Sequence, residues 1–169
     1  MVDVNLTAPL LLTHRVVPGM LERERGHIVF MSSLAGKLGP AYGESYAATK
    51  AGLIGLNQAL RSEYRHAPIG FSVVCPGFVG GDGGGMYQRM KEKGIGSNRL
   101  IGETTVDKVV DRTVEAIRRD RPETVESGSP VRLPLAINQI SPRFAEWMGE
   151  RSGLNELFRR AAESRGRLG

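Results

Sequence analysis

The chain has 169 residues, 40% hydrophobic and 24% charged, the proportions of an ordinary globular domain long enough to bury a real core. One cysteine, Cys75, excludes an internal disulfide and a cysteine zinc site, and its neighbours Val73, Val74 and Pro76 mark it as a buried structural thiol rather than a nucleophile. The net charge of +5 is scattered over pairs such as Arg118 and Arg119 or Arg159 and Arg160, with acids interleaved, which excludes the clustered basic stripe of a nucleic-acid-binding surface.

The first residues, Met-Val-Asp-Val-Asn, lack the basic start and apolar core of a signal peptide. No apolar run reaches the ~20 residues of a membrane span. The expected location is the cytoplasm.

Residues 3 to about 23 read as a helix, with Leu6, Leu10, Val17 and Leu21 near a 3.6-residue period. Pro9 suits an early turn, whereas Pro18 is expected to kink the helix or end its regular part. Gly26 marks the stop. Residues 27–31, His-Ile-Val-Phe-Met, form an apolar run of the kind a sheet buried on both faces requires. Residues 34–42, with Gly36, Gly39 and Pro40, read as a loop.

A second helix is expected over residues 43–66, its start rich in Ala47, Ala48, Ala51, Gly52 and Gly55. Pro68 and Gly70 separate it from a second strand over residues 71–75. Strand, helix, strand in this order predicts a right-handed parallel crossover unit.

Residues 80–85 hold five glycines in six positions and read as a flexible loop. Gly77, Gly81 and Gly83 fit the phosphate-loop spacing Gly-x-x-x-Gly-x-Gly. So glycine-dense a run matches many patterns by accident, and no strand ending in an acid follows at the needed distance. Residues 86–102 continue the loop, placed where an α/β enzyme carries a substrate lid.

Thr104 or Thr105 caps the next helix, whose predicted buried face is Val106, Val109, Val110 and Ile117. Pro122 ends that region, and residues 123–126 read as a short last strand. Pro134, Ile137, Ile140, Phe144, Trp147, Met148, Leu154, Leu157 and Phe158 make an apolar helical tail. It is expected to pack on its own domain or on a sister subunit; contact with a membrane surface is the alternative. Residues 164–169 read as a disordered tail.

Three groups could act on one substrate atom. Tyr46 and Lys50 are four apart and share a helix face. An ammonium beside a phenol favours the phenolate, which makes a phenol usable as a general acid/base near neutral pH. Ser33 lies thirteen residues before Tyr46, at the end of the first apolar run. A hydroxyl at a strand end and a tyrosine in the first turn of the next helix can converge on one carbonyl oxygen.

With Asn5 in Asp3-Val4-Asn5-Leu6-Thr7, then Ser33, Tyr46 and Lys50, then Pro76-Gly77-Phe78-Val79, the chain resembles the short-chain dehydrogenase/reductase family over roughly residues 1–114. The resemblance implies an α/β fold: a Rossmann-like, doubly wound parallel sheet, here N-terminally truncated. The whole of 1–169 would be the C-terminal portion of one such domain. Residues 1–122 would belong to its catalytic core, and 123–163 to helices on the substrate side or at an interface.

The implied activity is hydride transfer between NAD or NADP and a small-molecule carbonyl or alcohol. Tyr46 would carry the proton, and Lys50 would hold the nicotinamide ribose. Ser33 would bond the reacting oxygen. Pro76, Gly77 and Val79 would line the nicotinamide. Asn5 would open its helix locally and hold a water that links Lys50 to solvent; as a residue near a helix start, it could instead be an N-cap. The family often has Thr where Gly81 stands, so a backbone group would replace one side-chain contact. The implied assembly is a homodimer, paired through the two long helices, or a homotetramer.

The resemblance implies that the family's glycine-rich pyrophosphate turn is missing from these residues, through either a miscalled gene start or a genuine truncation, and the isolated chain is expected to be inactive. A second hypothesis follows: a noncatalytic remnant that serves as a binding or oligomerisation module.

Overall fold

The computed structural model describes residues 1–81, 85–96 and 102–164, and only the backbone of Met86, Ala145 and Met148. A π-helical turn, Asp3–Thr7, runs directly into helix α1, Ala8–Glu22. Pro18 sits inside α1, which continues past it for another turn. The chain turns off the end of α1 not at Gly26 but at Glu24, whose φ of 52° lets Arg25 N donate back to Met20 O at 3.1 Å. Gly26 serves a different need: a Cβ there would lie 2.5 Å from the Met20 side chain.

Strand β1, His27–Met31, leads into a short helix α2, Ala35–Leu38, within the expected loop. Gly39, in the left-handed region at φ 57°, ends α2. Helix α3, Glu44–Glu63, and strand β2, Gly70–Pro76, follow. Strand β3, Val79–Gly80, pairs in parallel with β4, Thr104–Thr105, a small sheet the sequence did not suggest.

Residues 86–102 also depart from expectation. They contain helix α4, Met86–Glu92, built from good helix formers that the surrounding glycines obscured. Residues 82–84 of the glycine run and 97–101 of the expected lid lie outside the described residues, as does 165–169 of the expected tail. The chain goes on through α5, Val106–Arg118, and strand β5, Glu123–Glu126. The tail is three helices: α6, Arg132–Ile140; α7, Pro142–Arg151; and α8, Leu154–Glu163.

Strands β1, β2 and β5 form one parallel sheet in that spatial order, with Met31 opposite Val74 and Pro76 opposite Glu126. The sheet therefore runs on past Pro122 into the C-terminal region. Among the described residues β1 has a partner on one side only.

Side chains alternate along β2. Phe71, Val73 and Cys75 join Phe30 of β1, Val17 of α1 and Leu53, Ile54 and Leu60 of α3 in the main core. Ser72 points the other way, where its Oγ donates to Arg121 O at 2.6 Å beside α5. Helices thus cover both faces, which makes the unit doubly wound.

Helix α5 is turned away from its expected orientation. Ala116 is fully buried and Val109 half-buried, while Val106, Val110 and Ile117 are exposed. The small Ala116 lets the helix approach Ser72 closely, and this sets the rotation. Thr105 is the N-cap, accepting from Lys108 N at 3.4 Å. In the tail, Leu157, Phe158 and Ala161 pack on Met90 and Ile95, so α8 is buried against its own chain in a second cluster apart from the main core. Ile140, Phe144 and Trp147 remain exposed.

Candidate active site

The site is assembled at the carboxyl ends of β1 and β2 and the first turns of α3. Tyr46 and Lys50 share a face of α3, with Lys50 Nζ 5.6 Å from the centre of the Tyr46 ring. Nζ also donates to Met31 O at 2.8 Å. Half-burial pushes the Lys50 ammonium below its ordinary value by desolvation.

Two neighbouring serines divide the work. Ser32 is 4% exposed, and its Oγ donates to Lys50 O at 2.7 Å, which ties the end of β1 to α3. Ser33 Oγ accepts from Ala35 N at 3.2 Å, and its own proton reaches Pro76 O only at 3.4 Å. That last contact is long for an O–H donor, so the Ser33 proton is loosely engaged. Ser33 is thereby brought beside Pro76; no hydrogen bond joins it to Tyr46.

Gly36 sets the spacing. A Cβ there would lie 2.6 Å from the Lys50 carbonyl carbon, so only glycine allows α2 to lie this close to α3. Gly52 plays the same part toward Leu6, which an added Cβ would meet at 2.9 Å.

Asn5 is not an N-cap. It lies inside the π-helical turn, with its own N–H bonded to Met1 O at 2.9 Å. Its Nδ2 donates to Thr49 Oγ1 at 3.4 Å, and Thr49 Oγ1 donates in turn to Tyr46 O at 2.8 Å. Thr49 escaped the sequence reading because nothing marks an internal helix threonine as a link between helices.

Pro76 and Gly77 lie where the sheet meets the site. Pro76 O accepts from Leu34 N at 2.9 Å, and Gly77 N donates to Glu126 O at 2.8 Å. A Cβ on Gly77 would stand 3.1 Å from Ser127 Oγ and 3.2 Å from Leu34 Cδ1, tighter than ordinary contact. Val79 follows in β3. Cys75, next to this segment, is a buried thiol that desolvation pushes up to about 11, too high for a nucleophile at neutral pH. Among the described residues no group of His, Cys, Asp and Glu could hold a metal, and no helix is long and apolar enough to cross a membrane.

The family model for short chain dehydrogenase matches residues 1–92. A ketoacyl reductase of a Nostoc species, HetN, is 34% identical over 168 residues, 96% of this chain and 57% of the relative. An acetoacetyl-CoA reductase of Paracoccus denitrificans is 41% identical over 79 residues, 47% of this chain and 33% of the relative. The chain thus spans less than two thirds of the curated relatives it matches. A short chain dehydrogenase/reductase of Burkholderia phymatum, solved in complex with NAD, superposes with a TM-score of 0.65 at 21% identity, over 83% of this chain and 57% of that one. At that identity the likeness speaks for the fold.

Proposed function

The chain belongs to the short-chain dehydrogenase family, and on that premise we propose that it carries the catalytic, nicotinamide-facing part of an NAD(P)-dependent oxidoreductase. The reaction is the interconversion of a carbonyl and an alcohol by hydride transfer. The carrying observation is the pair on α3, a half-buried ammonium set against a tyrosine ring at the carboxyl end of a parallel sheet.

The described residues suit the nicotinamide end of the cofactor. Lys50 spends one N–H on Met31 O and keeps two for ribose hydroxyls. Pro76, Gly77 and Val79 supply the wall that faces the nicotinamide. When bound, the nicotinamide gives or takes the hydride; the chain supplies protons, orientation and charge.

Tyr46 donates its phenolic proton to the carbonyl oxygen in reduction and takes it back in oxidation. Lys50 stabilises negative charge on the phenolic oxygen as the proton leaves. Ser33, its proton loosely held, donates to the oxygen where charge changes. Asn5, in the opened turn, connects to Tyr46 through Thr49 and offers a route for a water toward Lys50. The full enzyme is a homodimer or a homotetramer. The exposed Leu11 and Leu12 on α1 supply apolar surface for the pairing.

The test is Tyr46→Phe in a chain completed at its amino end with the corresponding residues of the Nostoc reductase. The substitution keeps the ring and removes only the proton carrier. Turnover is expected to fall by about 10²-fold or more with cofactor binding nearly unchanged. Turnover within about tenfold of the parent overturns the role.

A further inference from the structure

The segment assigned to the nicotinamide is held by a closed ring of four hydrogen-bonded residues. Gly77 N donates to Glu126 O at 2.8 Å. Thr104 N donates to Phe78 O at 2.8 Å. Thr104 Oγ1 donates to Glu126 Oε1 at 2.8 Å, which closes the ring. Glu126 thus grips the segment twice, through its own carbonyl and through the Thr104 side chain. Its second carboxylate oxygen accepts from Arg112 Nε at 3.2 Å.

Both ring-closing side chains are buried, Thr104 at 1% exposed and Glu126 at 9%. Burying a carboxylate is costly unless it is paired and hydrogen-bonded. An apolar pair would hold β4 on β5 without that cost. The polar pair adds direction, because it fixes where Thr104 stands, and through Thr104 where Phe78 and Val79 stand. The Phe78 side chain is fixed independently, between Tyr87 at 4.7 Å and Phe158 at 6.1 Å between ring centres.

We propose that Glu126 and Thr104 are positioning residues for the Pro76–Val79 wall, setting the depth at which a nicotinamide ring meets Tyr46. The inference rests on the reading of that wall given under Proposed function. Neither residue touches the cofactor; each acts through the backbone of Gly77 and Phe78. A β-branched residue at 104 lacking the hydroxyl keeps the strand and the Gly77 N–Glu126 O bond but removes the side-chain tie that braces Glu126, so that bond opens more often.

The test uses the 169-residue chain itself, with Thr104→Val, Thr104→Ser and Glu126→Gln. Amide hydrogen exchange is followed by NMR, and reduced nicotinamide mononucleotide is titrated to millimolar concentration. In Thr104→Val the Gly77 amide is expected to exchange at least about tenfold faster, while the Phe30 and Val73 amides of the central sheet change less than about twofold. A merely structural loss would speed all of them together. Thr104→Ser, which keeps the hydroxyl, behaves as the parent. Glu126→Gln, which keeps an acceptor for Thr104 but loses the Arg112 pairing, gives a smaller change in the same direction.

On titration, the parent shows shifts at Lys50, Gly77 and Val79. Thr104→Val keeps the Lys50 shift and loses the other two. Exchange at Gly77 that stays at the parent rate in both Thr104→Val and Glu126→Gln overturns the inference, as do Gly77 and Val79 shifts that survive in Thr104→Val. A parent chain whose Gly77 and Val79 never respond to the mononucleotide, while exchange behaves as expected, overturns the nicotinamide reading of the wall and leaves the clamp as architecture only.

Discussion

Lys50 Nζ donates to Met31 O, and that carbonyl belongs to the side of β1 that faces away from β2. The direction follows from Ser32 N, which donates to Val74 O at 2.8 Å across the sheet. Backbone groups alternate in direction along a strand, so those of Met31 point outward. The lysine assigned to the nicotinamide ribose also closes the last carbonyl of the strand that leads to Ser33.

Given the proposed ribose contact beside the Met31 bond, Lys50 is expected to tolerate no replacement. Lys50→Ala in the completed enzyme is expected to weaken cofactor binding as well as the rate, because one ammonium serves both. Lys50→Arg is not expected to rescue either, since a planar fork does not replace a compact point charge. The pH–rate profile should shift its governing ionisation in Lys50→Ala. An unshifted profile would count against the coupling to Tyr46.

The two serines should separate stability from chemistry. Ser32→Ala removes the bond to Lys50 O and should lower stability by about 0.5–1.5 kcal/mol. Ser33→Ala should leave stability nearly unchanged but reduce turnover by about 10²-fold. Denaturant titration and steady-state kinetics on both variants check the assignment; the reverse pattern would exchange the roles.

His27 provides a prediction in pH. Ser72 Oγ spends its proton on Arg121 O, so His27 Nε2 must donate to Ser72 Oγ, 2.8 Å away. Burial holds the imidazole below its ordinary 6.5; nearby Asp120 opposes this and Arg61 adds to it. The folded chain thus binds the proton less readily than the unfolded one. The His27 contribution is complete above 6.5 and is lost as pH falls through 6.5 toward the folded value. Thermal unfolding at about pH 7.5 and about pH 5.5 should show a larger acid loss for the parent than for His27→Gln. Equal losses would place the acid sensitivity elsewhere.

The chain by itself should bind NADH or NADPH weakly and show no turnover. The ribose and nicotinamide contacts amount to a few hydrogen bonds, each worth about 0.5–1.5 kcal/mol net. Against an association cost of roughly 4 kcal/mol or more, that leaves at best about millimolar affinity. Calorimetry with both cofactors is the check. A micromolar dissociation constant would mean that other residues of the chain seat the adenosine end.

Much of the site's framework is legible in the sequence because its signals are local. The spacing of Tyr46 and Lys50 fixes a shared helix face, and the apolar run ending at Met31 fixes the strand that delivers Ser33. What stays hidden depends on contacts between distant residues. Thr104 and Glu126 meet across two sheets, and no pattern joins them. The apolar stripe of α5 identifies a face but not what covers it, so Val106, Val110 and Ile117 read as core while Ala116 occupies it. The π-helical turn around Asn5 differs from an α-helix by one residue per hydrogen-bonded ring, a difference that composition does not record.

Cys75, the chain's one thiol, lies fully enclosed in the central strand of the sheet. An alkylating reagent can reach it only when β2 separates from the helices on its face. The labelling rate in mild alkali is therefore a clock for the opening of this layer. Read alongside global unfolding, it tells whether the layer opens alone or only with the whole chain. No substitution is needed to install the probe, because the sequence already carries it at the point where β1, β2 and α3 are locked together.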